Sequence, residues 1–274
     1  MSKTMVGKFP ILKIEWVEIT RGEFTLGLTL QQAEELIRRL PVKFQPFEKK
    51  LVFQETPERS IHLDTFYISR FPITWAQFMA FTDSEHWYSP KNILSGNVRD
   101  VVIQDFQQAA QIKTRHPACV DWHSALAFCE WIGARLPTSA EWEKSARGTD
   151  DRLYPWGSEW DASLGNFDRD QDQRPVTTSP VDAFPLGQSP YGVMDMMGNT
   201  YEYTLSTWVD KVEMAVGRSC CYDYKRAVHI PDWFRNRLTK LTFHSMNGGL
   251  PLGGFRPVLD EWQREHWPGF RMAS

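Results

Sequence analysis

The chain has no apolar run near the ~18 residues that would span a membrane, no low-complexity tract and no internal repeat. Its formal net charge is −3 over 274 residues, so no global field draws it to nucleic acid or to an anionic lipid surface. Only four cysteines are present, Cys119, Cys129, Cys220 and Cys221, too few for a disulfide framework in a chain of this length. Cys220 and Cys221 are adjacent, and a bridge between neighbours would be strained. The first residues, MSKTMVGKFPILKIEW, carry lysines but no continuous apolar stretch, so no signal peptide is expected. Together these absences predict reduced thiols, a cytoplasmic location, and a partner that is neither nucleic acid nor membrane. Catalytic signatures are also missing. There is no Gly-rich phosphate loop, nucleophile elbow or zinc spacing. The seven histidines, His62, His86, His116, His123, His229, His244 and His266, are scattered, and a lone histidine is more often a surface or core residue than a ligand.

What the chain has in excess is aromatic side chains, 12 tryptophans among them, and they mark many of the expected strands and helix faces. Ile14 to Ile19 reads as an opening strand with imperfect alternation. Thr29 to Gln32 is a capping box, followed by one helical face of Leu30, Ala33, Leu36, Ile37 and Leu40, and Pro41 stops the helix. Phe44 to Pro57 reads as a polar connection and Ile61 to Ser69 as a strand. Thr74 with Gln77 opens a short helix bearing Phe78 and Phe81. Val98 to Ile112 is compatible with helix or loop. Asp121 caps a helix with Ala125, Phe128, Cys129 and Ile132 inward, ended by Gly133. Thr138 to Glu141 is a third capping box, opening a helix with Trp142 and Ala146 inward and Gly148 at its end. Beyond Tyr154-Pro155-Trp156-Gly157 the chain is turn-rich, with short aromatic strands. The pattern predicts one α+β domain over residues 1–274, with its core at about 14–260.

The most telling stretch is Pro180 to Thr204, PVDAFPLGQSPYGVMDMMGNTYEYT. Asp195 and Glu202 stand seven apart with Gly198-Asn199 between them. Gly-Asn marks a turn, because both residues tolerate positive φ. Two carboxylates flanking a turn that exposes carbonyls form an oxygen-rich arrangement suited to a hard cation such as Ca²⁺. By spacing alone, a tight turn entering an aromatic strand is the simpler reading.

Several segments, in order, resemble the formylglycine-generating enzyme/sulfatase-modifying domain family. They begin with Gly22-Glu23-Phe24, Asp64-Thr65-Phe66-Tyr67-Ile68-Ser69 and Pro72-Ile73-Thr74-Trp75-Ala76-Gln77-Phe78. Ala134-Arg135-Leu136-Pro137-Thr138-Ser139-Ala140-Glu141-Trp142-Glu143, Ala146-Arg147-Gly148 and Tyr154-Pro155-Trp156-Gly157 follow. Pro180-Val181, Tyr191-Gly192, Met197-Gly198-Asn199, Tyr201-Glu202-Tyr203-Thr204 and Gly254-Phe255-Arg256 complete the series. The resemblance implies a single-domain variant C-type lectin-like fold, with short helices first and an irregular β-rich second half. It also implies Ca²⁺ sites. One matches the side chains of Asp195 and Glu202 and the carbonyls of Gly198 and Thr200, which favours metal over a plain turn. A second matches Asn166 and the Phe167 carbonyl, with Asp170 or Asp172 as the further acid in a shortened loop.

Catalytic members of the family carry two cysteines, separated by four residues, after a Gly-Gly-Ser motif. The pair binds Cu(I), a soft ion suited to thiolates, and oxidises a substrate cysteine with O₂. Here the motif reads Val216-Gly217-Arg218-Ser219, and Tyr222 takes the first cysteine's place. Cys220 and Cys221 do not restore the spacing, and adjacent side chains in a strand point to opposite faces. They are the only weak catalytic candidates, and Cu(I) is not expected. The family's sulfoxide synthases use an iron-binding His-rich run that is also absent.

The segment from Ser219 to Gly254-Phe255-Arg256 corresponds to the floor of the family's substrate groove. It carries Ser219, Tyr222, Tyr224, Trp233, Phe234, Arg235, Arg237 and His244, and Tyr, Trp and Arg are frequent anchors of recognition surfaces. The same fold is used by variable proteins of diversity-generating retroelements, which bind ligands there without catalysis. The expected function is therefore Ca²⁺-stabilised, non-catalytic binding of a protein or small ligand through 219–256. The alternative is a formylglycine-generating-type copper-dependent oxidase acting on cysteine of a sulfatase-like substrate.

Overall fold

The computed structural model describes residues 12–82, 113–167, 178–208, 211–219, 234, 237–240, 242–245 and 253–265. Val98 to Ile112, left open between helix and loop, lies outside these residues. Three small antiparallel sheets and short helices alternate along the described chain. Strand β1 (Trp16–Ile19) pairs with β4 (Phe66–Ser69), and β4 pairs on its other edge with β8 (Val258–Asp260). All four residues of β4 are buried, as fits a central strand covered on both faces. Strand β2 (Gly22–Leu26) forms a separate ribbon with β3 (Arg59–Leu63). The third sheet has the order β5 (Glu202–Trp208), β6 (Lys211–Arg218) and β7 (Thr242–Ser245).

Ile61 to Ser69 thus forms two strands rather than one. The break falls at Asp64-Thr65, where β3 leaves the ribbon and β4 enters the central sheet. The Arg21 N–H donates to Thr65 Oγ1 at this crossing (3.2 Å).

The capping boxes start their helices as read. Helix α1 (Leu30–Arg39) begins at Thr29, whose hydroxyl accepts from the Gln32 N–H at 2.9 Å. Its inner face is Ala33, Leu36 and Ile37, while Leu30 is exposed. The polar connection after it contains a further helix, α2 (Gln45–Phe53). Its apolar periodicity is weak, and burial of Val52 against the α1 face and Phe234 holds it in place. Helix α3 (Trp75–Thr82) and helix α4 (Trp122–Trp131), capped by Asp121, pack Phe78, Phe81 and Phe128 around Phe255. The Phe78 and Phe255 rings meet edge-on at 6.2 Å between centroids, a favoured aromatic geometry. A five-residue helix, α6 (Glu261–Glu265), follows β8. No helix among the described residues is long and apolar enough to cross a membrane.

Helix α5 (Ser139–Arg147) organises the remainder. Thr138 and Glu141 cap it reciprocally, at 3.2 and 2.7 Å. Every residue from Glu141 to Arg147 is buried. Its charged residues bond to backbone carbonyls and to each other, although Nε and Nη2 of Arg147 are buried without a partner among the described residues. The Lys144 ammonium donates to the carbonyls of Thr20 and Gly22, both at 2.9 Å. Arg147 donates to the Thr25 and Gly27 carbonyls and to Glu143. Thr138→Ala removes one arm of the cap and is expected to cost about 1 kcal/mol, read as a lower urea midpoint with an unchanged m-value.

Candidate functional site

The loop from Asp195 to Glu202 joins the helical half to the third sheet. Asp195, Gly198 and Asn199 all have positive φ (60°, 86° and 61°). At Gly198 a Cβ would also lie 2.8 Å from the Asn166 carbonyl oxygen and from the Phe167 ring, so the turn admits only glycine there. Asn199 is fully buried and uses its whole amide. Oδ1 accepts from the Ser179 N–H (2.8 Å) and from Asn166 Nδ2 (3.1 Å). Nδ2 donates to the Ser179 carbonyl (3.1 Å) and to Asp195 Oδ2 (2.6 Å). The positive-φ turn read from Gly198-Asn199 is therefore also the hub that ties the 166 and 179 loops together.

The two carboxylates differ. Glu202 has no solvent exposure and faces Arg256, with Nε and Nη2 each 2.6 Å from one of its oxygens. Trp142 Nε1 donates to the same carboxylate at 2.9 Å. Arg256 spends its other donors on the carbonyls of Ser69, Arg70 and Met194 (3.1, 3.3 and 3.0 Å), so all five N–H groups are used. Asp195 is buried with one hydrogen bond, from Asn199. Burial pushes its carboxyl up to about 7, against the Asn199 bond and the Arg256 charge, which pull it down.

Ca²⁺ takes six to eight oxygens, carboxylates prominent among them. The expected set Asp195, Gly198, Thr200 and Glu202 does not fit it in this arrangement. Glu202 already has a guanidinium as its cation and accepts three hydrogen bonds. The Gly198 carbonyl accepts from the Thr200 N–H at 2.7 Å. Among the described residues no cluster of three or more His, Cys, Asp or Glu side chains is placed to hold a metal. Of the second set, Asn166 serves Asn199, and the Phe167 ring packs on Trp160 at 4.6 Å. Asp170 and Asp172 lie outside the described residues.

Beside this loop β5 and β6 pair with Glu202 opposite Arg218. Ser219 follows at positive φ (68°), is 2% exposed, and its Oγ accepts from the Gly198 N–H at 3.2 Å. The start of the expected recognition segment is therefore interior. Phe234 is interior too, in the α1–α2 cluster. Arg237 is held by Glu55 and the Phe234 carbonyl. Phe234 is covered by Val52 and the α1 face, Arg237 by its ion pair with Glu55, and Ser219 by the Gly198 turn. Strand β7 carries His244. Cys220, Cys221, Tyr222, Tyr224, Trp233 and Arg235 lie outside the described residues. Of the thiols that are described, Cys129 is fully buried, which pushes its pKa well above the ordinary value. Cys119 Sγ sits 3.8 Å from Thr200 Oγ1. Asp182 pairs with Arg115, and Glu141 caps α5 and pairs with Arg135.

Residues 7–259 match the model of the sulfatase-modifying factor enzyme 1-like domain. The chain belongs to this family. Within it, the formylglycine-generating enzyme of Bos taurus is 31% identical over 264 residues, covering 73% of this chain and 70% of that protein. The mixed fold, with short helices and small antiparallel sheets, recurs in solved structures. PvdO of Pseudomonas aeruginosa superposes with a TM-score of 0.61 at 22% identity, covering 94% of this chain and 99% of its own. Treponema denticola variable protein 1 gives a TM-score of 0.56 at 13% identity, covering 89% and 94%. At those identities the likeness is one of fold. In this member of the sulfatase-modifying factor family Glu202 bridges to Gly254, two residues before Arg256. A Cβ on Gly254 would stand 2.4 Å from the Thr200 methyl, so the segment leading to Arg256 can pass beside the turn only as glycine. The sequence does not reveal Arg256 as the partner of Glu202, nor Trp142 and Asn199 as hydrogen-bonding members of the loop. The Arg256 and Trp142 contacts with Glu202 span 54 and 60 residues, and no local pattern reports them.

Proposed function

We propose that this chain uses the sulfatase-modifying factor fold to bind a protein or small-molecule ligand without catalysis, through the segment that follows Ser219. One observation carries the reading. Ser219 is fixed under Gly198, and the chain leaves it as Cys220-Cys221-Tyr222, so two thiols four residues apart cannot follow. Tyr222, Tyr224, Trp233, Arg235 and His244 supply the aromatic and cationic anchors of the recognition surface. The fold shared with a variable protein supports this use, and a retroelement-diversified surface is its narrower form. The test is titration with Cu(I) under reducing conditions. Weak, non-stoichiometric binding and no O₂ consumption on a cysteine-containing peptide are expected; tight one-to-one binding with turnover would overturn the reading.

The second reading, a formylglycine-generating-type copper-dependent oxidase, is favoured by the identity to the bovine enzyme. It requires Cys220 or Cys221 as a displaced thiol site. Activity in the parent that disappears in Cys220→Ser/Cys221→Ser would establish it.

A further inference from the structure

A cavity of about 490 Å³ opens between the β2–β3 ribbon, the first turn of α5 and the end of β6, a size common for small-ligand sites. Its lining includes Arg59, Thr138, Ser139, Ala140, Ser206 and Arg218, together with Glu55 and Glu143. The hydrogen bonds around it are lopsided. Both carboxylates are occupied: Glu55 accepts from Arg237 and Thr239, and Glu143 from the Gly27 N–H, Arg147 and Arg218. The donors are not. Arg218 is 2% exposed. Its Nε donates to Ser139 Oγ (2.7 Å), and its Nη1 donates to the Leu238 and Thr239 carbonyls and meets Glu143. Its Nη2 has no partner among the described residues. Ser139 Oγ accepts from Arg218, Ser206 Oγ from the Ser139 N–H, and Thr138 Oγ1 from the Glu141 N–H. Each of these hydroxyls still holds a hydrogen to give.

Two further features set the sign of the charge. Ala140 is the second residue of α5, and its N–H is the one first-turn donor not taken by Thr138 or Ser206; the helix end adds positive potential. The formal charges agree. The lining carries Glu55 and Glu143 with Arg59 and Arg218, and both glutamates are in addition neutralised from behind by Arg237 and Arg147.

We propose that this cavity binds a small oxyanion, a carboxylate or a phosphate group, seated between the Arg218 guanidinium and the first turn of α5. Arg218 occupies the second glycine position of the Gly-Gly-Ser motif, so this guanidinium is a departure from that pattern. The proposal does not depend on what the segment after Ser219 recognises.

The test is calorimetry on the whole chain at fixed ionic strength, with inorganic phosphate and succinate as separate probes and chloride as the balancing anion. Saturable binding of at least one probe is expected, and which one binds separates a phosphate from a carboxylate ligand. Ala140→Asp places a carboxylate at the cavity mouth, while an acid in a first helical turn supports the helix. Its melting temperature in chloride should match or exceed the parent's, and its affinity for the bound probe should fall about tenfold or more. Arg218→Gln should weaken binding similarly, with Glu143 still paired to Arg147. No saturable heat from either probe, or binding unchanged in Ala140→Asp, would overturn the assignment.

Discussion

Arg256→Met is expected to destabilise the protein by about 3–5 kcal/mol, the range for breaking a buried ion pair from one side. The substitution roughly preserves volume, so the loss is electrostatic. Glu202 would keep only the Trp142 indole N–H and hold a charge with no solvent exposure. The carbonyls of Ser69, Arg70 and Met194 would lose their donor as well. Part of the loss should return in Arg256→Met/Glu202→Gln, which removes the stranded charge and keeps an amide oxygen for Trp142. Urea unfolding of both variants measures this. A single-variant cost under about 1 kcal/mol, the range of an exposed pair, would show that the pair does not anchor the loop.

Asp195→Asn is expected to stabilise the protein above neutral pH. The folded carboxyl titrates at about 7, against 3.8 as its ordinary value. Between those values the folded state holds a proton that the unfolded chain has released. Stability therefore falls as pH rises from about 4 to about 7, then levels. The separation corresponds to on the order of 4 kcal/mol at most. Asparagine cannot ionise, tolerates the positive φ, and can still accept from Asn199. Parent and variant should converge near pH 4 and separate by pH 8, with the variant higher, in melting scans across that range. The same scans test for a cation. A bound Ca²⁺ would neutralise Asp195, reverse the sign of the substitution, and make EGTA lower the melting temperature. With Arg256 as the cation facing Glu202, EGTA is expected to change nothing.

Features confined to a few neighbouring residues could be read from the chain directly. The boxes Thr29/Gln32 and Thr138/Glu141 span four residues each and start helices where expected. Gly198-Asn199 makes a turn because of its own backbone preferences. Readings that failed depended on distant partners. Gln45–Phe53 has little periodicity and becomes a helix because α1 and Phe234 cover it. Asp64-Thr65 divides two strands because their neighbours belong to different sheets. Phe234 and Arg237 look like recognition residues by type, yet their neighbours are Val52 and Glu55, 182 residues from each other in the latter pair. The same distance effect separated the carboxylates of the central loop: Asp195 and Glu202 are alike by spacing, and Arg256 makes them different.

The stretch from Gly253 to Asp260 has a consequence for how the chain is made. It bonds in succession to Val120, Tyr203, Ile73, Ser69 and Arg135, then adds β8 beside β4, and it brings Phe255 to the middle of the aromatic core. Synthesis delivers it after all of these partners. A nascent chain can form helices α1 to α5 and the β2–β3 ribbon before this stretch is made. Its central sheet lacks one edge, and Glu202 lacks its counter-charge, until this stretch emerges. Closure of the central sheet and of the Phe78, Phe81 and Phe128 cluster therefore waits on this stretch, which supplies Phe255 to that cluster.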